Sequence, residues 1–294
     1  MAMLSNGAAQ SIDTYPLRLA VQPKCGTLGS SQFNNFNTGI NLRRIKTIYG
    51  FGDSYMSNGQ HIGSHPPPAV HDPSSPKYGQ RASNGLVWIE QFGHQIGALV
   101  KDYAAGGASV SSALSPTDTQ QTDMIGHVQT FLGQHNHIDT DSSMVLISYG
   151  INDWASASRR GAKLSSSALE LLRQTERLVQ AGFRNLVILS PPMISEPLTE
   201  FNNIIWTGLK AFKTKNPSIQ FAYVDFTTLY STITAAPRAF GYQSTGSCLK
   251  SATSAAGACR NPDRYLYYLP NHPQKLTHGL MAKWAISVLS NCRS

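Results

Sequence analysis

The strongest constraint on this chain comes from two short, almost unbroken apolar runs, residues 144–149 (Met-Val-Leu-Ile-Ser-Tyr) and 185–190 (Asn-Leu-Val-Ile-Leu-Ser). A strand with one wet face alternates apolar and polar residues, whereas a strand covered on both faces does not. The runs therefore predict a sheet buried between helices. Residues 45–51, 97–103 and 220–226 read as three further strands. Helical spacing fills the gaps between them. Phe201, Ile204, Ile205, Gly208, Leu209 and Phe212 recur at steps of three and four, as do Leu164, Ala168, Leu171, Leu172, Leu178 and Val179. A last helix is predicted over 275–290, with Leu276, Leu280, Trp284 and Val288 on one face. Strands alternating with helices predict an α/β fold, a three-layer α/β/α sandwich around a five-stranded parallel sheet. Ligands bind such sheets beyond the carboxyl ends of the strands.

The 294 residues suit one large domain. Residues 1–44 are polar and irregular and read as an N-terminal extension wrapping the surface, leaving 45–294 as a single domain. Apolar residues make up 41% and charged residues 14%, which excludes a disordered chain. The net charge of +8 favours anionic partners. However, the basic residues are scattered, the short clusters being Arg43-Arg44 and Arg159-Arg160, and no aromatic-interleaved basic stripe points to nucleic acid. No apolar run is long enough to span a membrane.

Cys25, Cys248, Cys259 and Cys292 form no C-x-x-C pair, and no histidine accompanies them at zinc-finger spacing. The even count fits two disulfides, Cys248–Cys259 closing a small-residue loop and Cys25–Cys292 tying the ends together, with four free thiols as the alternative. Disulfides imply an oxidising compartment. A secreted monomer is expected, its signal peptide removed, since the start at Met1-Ala2-Met3 holds no apolar signal core. No glycosylation sequon supports this, Asn216 being followed by Pro217.

Four short segments carry chemistry-bearing residues. Gly52-Asp53-Ser54 ends the first predicted strand, where a serine is exposed at the carboxyl edge. Asp102-Tyr103-Ala104-Ala105-Gly106-Gly107-Ala108 ends the second, its paired glycines allowing backbone N–H groups to approach a ligand. Gly150-Ile151-Asn152-Asp153 follows the most clearly buried run. Asn271-His272-Pro273 precedes the last helix. Taken singly, each is equally well explained as a helix cap or a turn. The elbow G-x-S-x-G is absent, which argues against the α/β-hydrolase fold.

Together and in this order, the four segments resemble the GDSL, or SGNH, hydrolase family. Residues 83–88 (Ser-Asn-Gly-Leu-Val-Trp) look like a stretch of its fungal carbohydrate acetylesterase-like members. The resemblance implies Ser54 as nucleophile and His272 as general base. It also implies an oxyanion hole formed by the N–H groups of Ser54 and Gly107 and the side-chain amide of Asn152. The implied activity is hydrolysis of a carboxylic ester through an acyl-enzyme, with short acyl groups such as acetyl on carbohydrate or small esters, and no cofactor. Longer acyl chains, as in a lipase, or acyl transfer to a sugar remain open, as does a catalytically weak carbohydrate-binding protein on the same fold.

One position departs from the family's pattern. The acid three residues before the histidine is here Leu269. A backbone carbonyl holding His272, or a carboxylate from Asp263, is the expected substitute, and a degraded site is the remaining reading. His278 is expected to be structural. The loop histidines His61, His65 and His71 are expected to be solvated rather than to bind metal. The Pro- and His-rich insertion 58–84 reads either as a rim over the cleft or as an ordinary surface loop.

Overall fold

The computed structural model describes residues 17–69, 72, 74–118 and 122–293. The opening Met1-Ala2-Met3 and His71 lie outside the described residues. A two-residue strand, β1 (Phe36–Asn37), precedes β2 (Thr47–Gly52), α1 (Trp88–Ile96), β3 (Leu99–Asp102), α2 (Met124–Gly133) and β4 (Ser143–Ser148). There follow α3 (Ile151–Arg160), α4 (Leu164–Gln180), β5 (Asn185–Leu189), α5 (Glu196–Lys215), β6 (Gln220–Val224), α6 (Phe226–Ala235) and α7 (Pro237–Phe240). The chain closes with β7 (Ser244–Ser247), β8 (Tyr265–Leu269), β9 (His272–Pro273) and α8 (Lys275–Asn291).

The main sheet has the order β1-β6-β5-β4-β2-β3. It is an α/β sandwich, as expected, but with six strands among the described residues rather than five. The extra strand, β1, runs antiparallel to β6, with Phe36 opposite Tyr223. Two residues in a polar stretch carry no periodic pattern, so this edge is created by long-range pairing. Asn37 anchors it, its side-chain amide donating to the carbonyls of Ile40 and Leu289. β7, β8 and β9 form a separate three-stranded sheet.

Residues alternate between two cores along each central strand. Ile48, Met144, Leu146, Val187 and Leu189 pack with Trp88, Phe92, Phe226 and Trp284 on one face. Tyr49, Phe51, Val145, Ile147 and Ile188 pack with Phe131, Leu171, Phe201 and Trp206 on the other. Burying side chains of this size stabilises by about 1.5–3 kcal/mol each, and covering both faces explains the continuous apolar runs.

The order of connections places the site. From β2 the chain moves to β3 at one edge, then returns to the other side of β2 for β4, β5 and β6. The reversal falls between β2 and β4, and a crevice forms where the connections after these strands diverge. Ser54 follows β2, and Asn152 follows β4.

Cys25 is bonded to Cys292 and Cys248 to Cys259, in the expected pairing. The first bridge spans 267 residues and ties the segment before β1 to the end of α8. Replacing Cys25 and Cys292 together by serine is expected to cost about 2–5 kcal/mol, read as a lower urea midpoint. An unchanged midpoint would show that the bridge adds no stability.

Candidate active site

Ser54 sits in a tight turn directly after β2. Asp53 organises this turn, its Oδ1 accepting the Tyr55 N–H at 2.9 Å and its carbonyl accepting the N–H groups of Met56 and Ser57. Among the described residues no acceptor takes the Ser54 N–H, which leaves it free for a ligand.

The imidazole of His272 meets this turn from the far end of the chain. Its Nε2 lies 2.9 Å from Ser54 Oγ, and its Nδ1 lies 2.9 Å from the carbonyl oxygen of Pro270. A carbonyl only accepts, so Nδ1 carries the proton and the Nε2 lone pair faces the serine hydroxyl. The carbonyl thus occupies the position a carboxylate would take. Asp263 does not reach the ring: its Oδ1 lies 3.4 Å from Lys275 Nζ, and its backbone carbonyl accepts from Gln274. Leu269 is buried and pairs across the small sheet with His272.

Burial lowers the pKa of His272 below the usual histidine value, helped by the positive charge of Lys77 and opposed by the Pro270 hydrogen bond. His278 stands behind it on α8, its own pKa pushed down to about 3 by complete burial and by His272. Its Nδ1 accepts the Trp88 N–H at 3.2 Å, a structural task that needs the neutral ring.

The loop after β3 supplies Gly106 and Gly107. Gly107 has φ +78°, a conformation that disfavours any other residue. Its N–H, too, has no acceptor among the described residues. Gly150 closes β4 with φ +123°, and a Cβ there would stand 2.8 Å from Pro191 and 2.9 Å from Phe201. Asn152 occupies the first turn of α3. One of its amide hydrogens goes to the Ala108 carbonyl at 2.9 Å, leaving the second unassigned. Next to it, both oxygens of Asp153 accept the Val110 N–H, at 3.2 and 3.1 Å. The segment just after the glycine turn is therefore strapped to α3 at two points.

Gly107 and Asn152 line one depression, and Ser54 and Gly106 line its neighbour, the two joined through the Gly106-Gly107 peptide. Arg159 and Arg160 border the first, both ion-paired to Asp118. Ser57, His61, Lys77 and Gln80 line the second. Residues of the 58–84 insertion therefore form a wall of the cleft. Sequence reasoning named no lining residue there, because a loop without periodicity does not show which of its side chains turn inward.

Buried contacts hold this wall in place. Arg81 donates to Glu90 through Nε at 2.8 Å and Nη2 at 2.6 Å, and Glu90 also accepts the Val87 N–H. Ser83 donates to the Pro273 carbonyl at 3.0 Å, and Asn84 accepts the Lys275 N–H at 2.8 Å. The Ser-Asn-Gly stretch thus clamps the segment carrying His272. His61 reaches the Ala104 carbonyl through Nδ1 at 2.7 Å. Among the described residues, no cluster of three or more His, Cys, Asp or Glu is arranged to hold a metal ion.

No protein-family model and no curated protein matches this chain. Solved structures that match include three hydrolase-type proteins. A member of the lipolytic protein G-D-S-L family from Veillonella parvula is 16% identical, covering 84% of this chain and 99% of its own, with a TM-score of 0.47. A family two carbohydrate esterase from Clostridium thermocellum is 13% identical over 84% of this chain, with a TM-score of 0.48. This chain spans 63% of that esterase, less than two thirds of its length. LAE5, an alpha/beta hydrolase enzyme from the Lake Arreo metagenome, is 12% identical over 86% of this chain, with a TM-score of 0.48. The structures this chain resembles include GDSL-type lipolytic proteins and carbohydrate esterases. What its own site does rests on the side chains described above.

If His272 accepts a proton from Ser54, only its neutral form is active. Because burial lowers its pKa, kcat/KM for an ester substrate should hold below pH ~6.5, the usual histidine value, and fall only as pH drops through the lowered pKa. The groups facing the imidazole are Ser54, Tyr55, Lys77 and His278. A pH-stat profile with its acid limb at or above the usual value would contradict the burial argument.

Proposed function

We propose that this protein is a serine carboxylester hydrolase with Ser54 as nucleophile and His272 as general base. The observation that carries the reading is the 2.9 Å contact between Ser54 Oγ and His272 Nε2, with Nδ1 committed to the Pro270 carbonyl. A serine hydroxyl attacks a carbonyl only if its proton leaves as the new bond forms. The lone pair of Nε2 is placed to take that proton.

Attack turns the carbonyl oxygen into an oxyanion. The free N–H groups of Ser54 and Gly107 and the second amide hydrogen of Asn152 are the donors proposed to receive it. The imidazolium then gives its proton to the departing alkoxide, which leaves as an alcohol, and the acyl group remains on Ser54 as an ester. Water repeats the sequence with His272 again as base, releasing a carboxylic acid and restoring the serine. No step needs a metal or an organic cofactor.

The cleft wall supports a polar alcohol partner, with Ser57, His61, Lys77 and Gln80 facing the depression beside Ser54. Such a surface suits a sugar hydroxyl and gives a long acyl chain little apolar area to occupy, which favours a short acyl group such as acetyl. The two disulfides support an oxidising, extracellular setting. On this reading the protein removes short acyl groups from carbohydrate.

Release of p-nitrophenol from p-nitrophenyl acetate should be abolished in Ser54→Ala, and a fluorophosphonate should label Ser54. Asn152→Ala should lower kcat by about a hundredfold or more, since losing one oxyanion donor costs about 3–4 kcal/mol. Asp263→Asn should keep full activity, because its carboxylate does not touch the ring. A chain that retains acetylated glycan but neither turns over ester nor takes the label would instead be a carbohydrate-binding protein on this fold.

A further inference from the structure

The base sits on an insecure support. β8 and β9 are joined by Pro270 and Asn271 alone, and β9 is two residues long. Leu269 pairs with His272, after which the register shifts. Pro-Asn at the centre of a two-residue connection is the sequence of a type II turn, which splays the strands it joins rather than matching their twist. Asn271 accordingly has φ +59°, one of three non-glycine residues with positive φ among those described. The Pro270 carbonyl that orients the imidazole belongs to this same turn. If the turn shifts, the ring and its acceptor move together, and the 2.9 Å contact to Ser54 is lost.

One side chain pins the turn. Tyr55, the residue after the nucleophile, is buried, and its hydroxyl donates to the Asn271 carbonyl at 2.6 Å. Its ring also lies against the imidazole, with centroids 5.8 Å apart and planes tilted by 35°. The Tyr55 backbone N–H is in turn held by Asp53. The turn carrying the nucleophile therefore grips the turn carrying the base, through adjacent residues on each side.

We infer that Tyr55 is a positioning residue for the Ser54–His272 pair, locking through the Asn271 carbonyl a base that no carboxylate orients. The bond holds the backbone beside the ring rather than the ring itself, which is why it coexists with the Pro270 contact to Nδ1. The inference rests on the hydrolase reading above, because a positioning role has meaning only if the pair reacts.

The test compares the wild type with Tyr55→Phe, which keeps the ring and removes the hydroxyl. The expected result is a fall in kcat on p-nitrophenyl acetate of about tenfold or more, given that a misplacement of ~1 Å can cost a hundredfold. KM should be unchanged, and Ser54 should be labelled by fluorophosphonate more slowly in the same proportion. Should Tyr55→Phe melt below the assay temperature, both proteins are assayed at a lower temperature where thermal melts show each folded, and the same fall in kcat at constant KM is expected there. Unchanged kcat, or a change confined to KM, would overturn the proposal. A wild type without Ser54-dependent turnover would overturn the hydrolase reading instead.

Discussion

The imidazole of His272 is bonded at both nitrogens, and the rest of the site depends on that double attachment. Pro270, two residues away, fixes which nitrogen carries the proton. Ser54, separated from it by 218 positions, donates its hydroxyl to the lone pair of the other nitrogen. Neither bond is strong by itself, a typical net value being about 1 kcal/mol. Their value lies in geometry, because one rotation of the ring would break both. The small β7–β9 sheet, the start of α8 and the Ser83–Asn84 contacts all serve to keep that ring where it is.

Three buried carboxylates do comparable work beneath the surface. Asp53, Asp102 and Asp153 lie at the ends of β2 and β3 and in the first turn of α3, and burial raises their pKa values to about 7, 8 and 6. Removing a carboxylate from water is unfavourable, so each is retained where backbone N–H groups need an acceptor. Asp53 serves Tyr55, Asp102 serves Asn58 and Ala104, and Asp153 serves Val110. These are the turns that present Ser54, the glycine loop and Asn152. The cost of burial is offset by rigidity in the three segments that must converge.

Much of this was legible in residue order. The runs at 144–149 and 185–190 announced a doubly covered sheet because burial on both faces leaves no room for polar alternation. Ser54, Gly107, Asn152 and His272 stood out only because their four segments, taken together and in order, resemble the GDSL hydrolase pattern; singly, each could have been a cap or a turn. β1 was not legible, since Phe36 and Asn37 become a strand only against Tyr223 and Ala222. Nor were Lys77 and Gln80, whose loop has no period to orient them. Tyr55 adjoins Ser54 in sequence, yet nothing there indicates that its hydroxyl reaches Asn271.

Local order determined which segments become strands and helices, which cysteines are available to pair, and which residues have the right chemistry at strand ends. These properties depend on near neighbours and on the periods of 2 and 3.6 that backbone geometry imposes. Tertiary structure alone decided what orients His272. Leu269 removed the usual acid, and Asp263 stayed open as a substitute, with a backbone carbonyl the favoured reading, until its carboxylate was found against Lys275. A backbone carbonyl is present at every residue and leaves no mark in the sequence, so its selection as the ring's partner emerges only when the Pro270-Asn271 turn is folded against Tyr55.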